Sequence, residues 1–161
     1  MQDPRSVDKL RHGDVTTLKS LFKANYAKLY PMAFRLTRDR AAAGLVIRNA
    51  FKQLWSERAD LDRFESVDTR LVRHTYLEAV RYREENEITG FSVNSDPERT
   101  GEDGVAELAD IPDDDQLKYL LFVVDGYSFR ELARAFDVSE EDIQLSVGRA
   151  LTKLKEVLAT S

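Results

Sequence analysis

The sequence predicts an all-α protein of two small helical domains joined by an acidic linker, and three observations predict it. Apolar residues recur at three- and four-residue steps along most of the chain, with no convincing strand alternation. Good capping residues stand where those patterns begin. A stretch rich in acid, Ser, Gly and Asn, and poor in apolar periodicity, separates the patterned segments. The expected division is a helical bundle over residues 1–85, a flexible linker over 86–110 and a helix-turn-helix unit over 111–161.

Three helices are expected in the first part. Asp14 caps one whose apolar positions are Leu18, Leu21, Phe22, Tyr26, Leu29 and Ala33, and Pro31 inside it removes a backbone donor and should kink it. A second, over about 39–58, buries Ala43, Val46, Ile47, Ala50, Phe51, Leu54 and Trp55. The third follows Ser66, with Asp68 in its first turn. At 100° per residue its Val72, Thr75, Tyr76, Ala79 and Val80 share one face, and Arg70, Arg73, His74, Leu77 and Arg81 share the opposite one.

The linker carries like charges that keep it extended, with a short helical patch expected around Val105–Leu108. After Pro112, Leu117, Leu120, Leu121 and Val124 pattern a helix that ends at the Asp125-Gly126 turn. Ser128 and Glu131 form a capping box before Leu132, Ala133 and Phe136. Asp137-Val138 turns the chain, and Ser139 caps a longer helix with Ile143, Val147, Ala150, Leu151, Leu154 and Leu158 inward. A short helix, a tight turn and a longer helix make the helix-turn-helix plan.

Composition narrows the function classes. The chain has no cysteine, which excludes disulfides, thiolate metal sites and cysteine nucleophiles and fits a reducing cytoplasm. The polar start MQDPRSVDKLRHGD predicts no secretory leader, and no apolar run reaches the ~18 residues of a membrane span. A cytoplasmic protein without membrane contact is expected. The net charge of −5 is unevenly spread. Residues 1–83 hold 17 Lys/Arg against 10 Asp/Glu, whereas residues 84–115 hold one against 12. A basic first half suits a polyanion, an acidic partner surface or plain solvation. No Gly-rich phosphate loop, metal-ligand cluster or Ser/His/Asp arrangement is legible, so no enzyme, cofactor or metal is expected.

The stretch LFKANYAKLYPMAFRLTRDRAAAGLVIRNAFKQLW carries Phe22, Tyr26, Leu29, Tyr30, Ala33, Leu36, Thr37, Asp39, Ala43, Phe51 and Trp55, followed by Phe64. The stretch IPDDDQLKYLLFVVDGYSFRELARAFDVSEEDIQLSVGRALTKLKEVL carries Pro112, Gly126, Ser128, Glu131, Leu132, Ser139, Arg149, Ala150 and Leu154. On these residues the chain resembles the extracytoplasmic-function type of the sigma-70 family of RNA polymerase sigma factors. The resemblance implies a domain 2-like bundle and a domain 4-like helix-turn-helix. It implies action in transcription initiation or its regulation, with core RNA polymerase and promoter DNA as partners. The polymerase-facing positions would be Leu45, Arg48, Asn49 and Lys52. The nucleic-acid-facing ones would be Arg70, Arg73, His74 and Arg81 on the third helix and Gln144, Ser146 and Arg149 on the last.

At those positions the residues depart from the family pattern. Gly44-Leu45-Val46-Ile47-Arg48-Asn49 stands where the family reads Glu-Asp-Leu-Val-Gln-Glu, so acids are lost and one sign is reversed. Asp113-Asp114-Asp115-Gln116 replaces a basic patch, and Glu140, Glu141 and Asp142 open the helix that would enter a DNA groove. These departures support an alternative: a sigma mimic that no longer binds DNA and instead binds an anti-sigma factor or another regulator. Phosphorylation of Thr37 would return negative charge near the second helix, although a helix-end hydroxyl is its simpler role.

Overall fold

The computed structural model describes residues 4–61, 66–94 and 111–159, and within them every regular element is helical. Helix α1 (Pro4–Arg11) is absent from the sequence expectation, because only two of its residues are strongly apolar. Those two, Val7 and Leu10, are completely buried. Helix α2 (Val15–Thr37) begins where Asp14 accepts the Thr16 amide at 3.0 Å, and it continues through Pro31 as one element. Helix α3 (Arg40–Ser56) is capped by Asp39, which accepts the Ala42 amide at 2.8 Å. A short 3₁₀ turn, Arg58–Asp60, follows. Helix α4 (Val67–Glu85) starts at Ser66 as expected, with the Ser66 hydroxyl accepting from the Thr69 amide.

In the C-terminal part, α5 (Asp113–Tyr119) passes into a wide π turn over Leu120–Val124 rather than one uniform helix. There the Asp125 amide reaches back five residues to the Leu120 carbonyl at 3.0 Å, and Gly126 takes a φ of 82° that an L side chain rarely adopts. Helix α6 (Phe129–Phe136) has both arms of the expected capping box, each at 3.0 Å. Helix α7 (Glu140–Ala159) has a second such box, since Ser139 accepts from the Asp142 amide and Asp142 accepts from the Ser139 amide. Val124, Leu151 and Leu158, expected inward, are exposed. Apolar periodicity identifies a face but not how far along the helix a partner covers it. Phe64 and the patch at 105–108 lie outside the described residues.

The packing joins the two halves. Helices α2, α3 and α4 pack on one another, α5 and α6 pack on α7, and α4 packs on α6. One continuous apolar core holds Leu29, Met32, Ile47 and Leu71 from the first half with Leu121, Tyr127, Leu132 and Ile143 from the second. A smaller cluster of Ile111, Leu120 and Ala150 receives Phe91 and Val93 from the chain that leaves α4.

The described part of the exit segment is tied to the bundle, although Asn86, Glu87, Thr89 and Gly90 stay exposed. The Arg83 guanidinium donates to the Leu36 carbonyl at 2.7 Å and to the Gly90 carbonyl, and Arg38 donates to the Thr89 carbonyl at 3.0 Å. The Ser92 amide donates to the Arg35 carbonyl at 2.8 Å. Arg83 and Arg38 thus satisfy backbone carbonyls of the segment that would otherwise be left to water.

Thr75 is fully buried, and its hydroxyl has no hydrogen-bond partner among the described residues. Valine has nearly its shape without the desolvated hydroxyl. The substitution Thr75→Val is therefore expected to raise stability by about 1 kcal/mol, measured by urea denaturation.

Candidate partner-binding surfaces

The α3 surface expected to meet polymerase is open. Leu45, Arg48 and Lys52 are exposed along one side of the helix, at spacings of three and four residues, with Asn49 half-buried beside them. Gly44 is buried, and a Cβ built there would lie 3.4 Å from the Tyr26 hydroxyl and 3.5 Å from the Arg48 guanidinium. The side that resembles a docking surface therefore presents an aliphatic residue and two cations, and no carboxylate. Thr37 is buried and donates its hydroxyl to the Ala33 carbonyl at 2.8 Å, which fits the helix-end role and leaves no access for a kinase.

The basic stripe of α4 is largely committed to the protein itself. Arg70 and His74 both contact Glu57, at 3.2 and 2.9 Å. Burial pushes the Glu57 carboxyl up, but the Gln53 hydrogen bond and the His74 and Arg70 partners outweigh it and hold the group below its ordinary range. Arg73 donates to the Arg134 carbonyl at 2.8 Å, in the last turn of α6, where a cation also complements the helix dipole. Beside it Tyr76 packs on Phe136, with ring centroids 4.5 Å apart. Of the four expected nucleic-acid residues on α4, Arg81 alone is exposed, with Glu78 3.6 Å away. The stripe is real as sequence, and in the fold it bonds α3 and α6.

On α7, Gln144 is exposed and Ser146 is fully buried. Ser146 donates its hydroxyl to Asp115, and Arg149 grips both oxygens of the same carboxylate at 3.0 Å. Asp115, counted in the sequence as one acid of a lost basic patch, is thus the buried anchor between α5 and α7. At 100° per residue Asp115 falls on the side of α5 away from Leu117, Leu120 and Leu121, so helical spacing gives no signal that it is inward. The Arg149 bonds hold its carboxyl below the usual carboxylate value against the opposing pull of burial, with help from Ser146 and Lys118.

A carboxylate depressed in the native state stabilises it fully above its unfolded pKa, about 4, and that stability is lost as pH falls through the lower native value. Asp115→Asn is expected to flatten this acid limb in denaturation series taken below about pH 4. At neutral pH its cost is expected to be about 1–2 kcal/mol, reduced because the Arg149 side chain is 61% exposed.

The two halves are closed by a buried ion pair that the sequence does not reveal. Arg35 on α2 grips Asp125 with bonds of 2.7 and 2.9 Å, and the side chains are only 1% and 2% exposed. The same guanidinium donates to the carbonyls of Ser92, at 3.3 Å, and Val93. Close by, the buried Tyr127 phenol donates to the Lys28 carbonyl, and Lys28 pairs with Glu131. Burial, first, and the Asp125 charge keep that phenol protonated far above its ordinary range. Arg35, Asp125 and Tyr127 bring α2, the exit segment and the helix-turn-helix unit to one point.

This arrangement of helices, with α6 closed on α4, superposes on solved structures along almost its whole length. CnrH in complex with the cytosolic domain of CnrY matches with a TM-score of 0.72 at 17% identity, over 99% of this chain and 98% of that one. The sigma factor RpoE in complex with the anti-sigma factor NepR from Bartonella quintana matches with a TM-score of 0.62 at 18% identity, over 88% of this chain and 96% of that one. The chain has the sigma-factor fold. No protein-family model matches the sequence, and no curated protein matches it. At 17–18% identity the likeness is one of fold. Among the described residues no helix is long and apolar enough to cross a membrane, and no group of three or more His, Cys, Asp or Glu residues is arranged to hold a metal ion.

Proposed function

We propose that the protein acts as a sigma-factor-like regulator of transcription initiation, with residues 1–85 and 111–161 as its two functional domains and 86–110 as the link. The observation that carries this reading is the superposition of both halves together on CnrH, across 99% of the chain. Core RNA polymerase would meet the α3 surface at Leu45, Arg48, Asn49 and Lys52. Promoter DNA would meet Arg70, Arg73, His74 and Arg81 together with Gln144 and Arg149, whereas Ser146, fully buried against Asp115, is outside that surface. Arg73 holds the end of α6, so nucleic-acid contact by that residue requires α6 to leave α4. The reading includes no catalytic activity and places the protein in the cytoplasm.

A second reading, a sigma mimic that binds an anti-sigma factor, is favoured by the α7 surface. Glu140, Glu141 and Asp142 stand at the helix start, Ser146 is buried, and Arg149 is paired with Asp115. Phosphate neutralisation supplies much of protein–DNA affinity, and little cationic surface is left there to supply it. The partner would then be of the kind named in the solved complex of RpoE with the anti-sigma factor NepR.

A pull-down of core RNA polymerase from the source organism, with the natural chain and with the Leu45→Asp, Asn49→Glu double variant, separates the two. Retention of polymerase by the natural chain supports the first reading. Retention by the double variant alone shows that loss of the acids has removed this activity and supports the second.

A further inference from the structure

Between the first half of α2 and the last half of α3 lies a hollow of about 350 Å³ with an apolar floor of Leu18, Phe22, Phe51 and Trp55. The floor is well ordered by packing. Phe22 meets Phe51 edge-on at 5.1 Å, and the Arg58 guanidinium lies 4.4 Å over the Trp55 ring, at the far end of α3. Three cations stand on its rim, Lys19 on α2 and Arg48 and Lys52 one turn apart on α3. No acid lines the hollow, and among the described residues none of the three cations has a carboxylate partner. The nearest acids in sequence are engaged elsewhere. Asp14 caps α2 and binds Thr17, while Glu57 faces Arg70 and His74.

We infer that this hollow is the docking site for an acidic amphipathic helix of a partner protein. An apolar strip walled by cations from two helices is the imprint of a helix whose apolar stripe is flanked by Asp and Glu on both sides. The aromatic floor takes one or two bulky side chains as anchors, and the rim cations pair with the flanking acids and set the orientation. The same rim repels a basic helix, so the sign of the charge selects the partner class. The inference rests on the reading above only in taking this side of α3 as a partner surface.

Trp55 is the single tryptophan of the chain and lines the hollow, so its emission reports occupancy directly. The probes are two synthetic Trp-free helical peptides with identical Leu stripes, one flanked by Glu and the other by Lys. The Glu peptide is expected to change Trp55 emission saturably and to bind at least about tenfold more tightly than the Lys peptide at low salt. In the Arg48→Glu, Lys52→Glu variant, whose exposed substitutions leave the core untouched, that preference is expected to reverse. Circular dichroism of the variant checks its fold.

Equal affinity for the two peptides, or an unchanged preference in the variant, overturns the inference. So does a stronger Trp55 response to phosphatidylglycerol vesicles or to oligo-dT, which would assign the hollow to a lipid surface or a single strand. The polymerase pull-down is scored separately. Retained polymerase with indifferent peptides overturns this inference and leaves the sigma-like reading standing, and peptide binding without polymerase retention does the reverse.

Discussion

Asp125→Ala is expected to cost about 3–5 kcal/mol of folding stability, a large share of the total for a chain of this size. The reason lies in what remains after the carboxylate is gone. The Arg35 side chain is 1% exposed, so its guanidinium would stay in the core with only the Ser92 and Val93 carbonyls as acceptors. The loss is expected in urea denaturation followed by circular dichroism. The double replacement Arg35→Met, Asp125→Leu is expected to restore most of it, because two apolar groups of similar volume remove the unpaired charge altogether. A loss below about 1 kcal/mol for Asp125→Ala would mean that water reaches the pair in solution and that the two halves are not tightly closed there.

Leu121→Ala is expected to destabilise the whole chain, by about 2–5 kcal/mol, not the C-terminal part alone. Leu121 is completely buried at the π turn, in a core shared with Leu29, Ile47 and Leu71 of the first half. Truncating it removes contacts and leaves a cavity that helices from both halves border. The decisive measurement uses Trp55, which stands on α3 in the other half. Its fluorescence midpoint in urea should fall together with the far-UV signal, as one cooperative transition. An unmoved Trp55 midpoint beside a lowered far-UV one would show two independently folding units.

Most of the fold is legible in one dimension because its signals are local. Asp14, Asp39, Ser66, Ser128 and Ser139 each satisfy amide donors within three residues, so their caps can be recognised from the sequence nearby. Helix α1 is missed for the opposite reason, since its two buried residues gain their burial from tertiary packing, α1 lying against α2 and the turn at Arg58–Asp60. The candidate surfaces are legible only in part. Leu45, Arg48 and Lys52 are exposed as helical spacing suggests. For Arg70, Arg73 and His74, spacing places them on one face of α4 but cannot say that Glu57 and the end of α6 already occupy that face.

What the amino-acid sequence determines by itself is therefore most of the helices, their caps and much of their inward faces, and the altered charge of the positions where a sigma factor meets its partners. Only the tertiary structure decides which charges are free to act. Arg35 and Asp125 are 90 residues apart, Arg149 and Asp115 34 apart, and Arg73 and Arg134 61 apart. A long-range ion pair leaves no periodic trace, because its energy comes from burial and proximity that exist only once the helices have packed. The same packing leaves Lys19, Arg48 and Lys52 around an apolar hollow with no carboxylate partner among the described residues, which makes that face a surface free to bind.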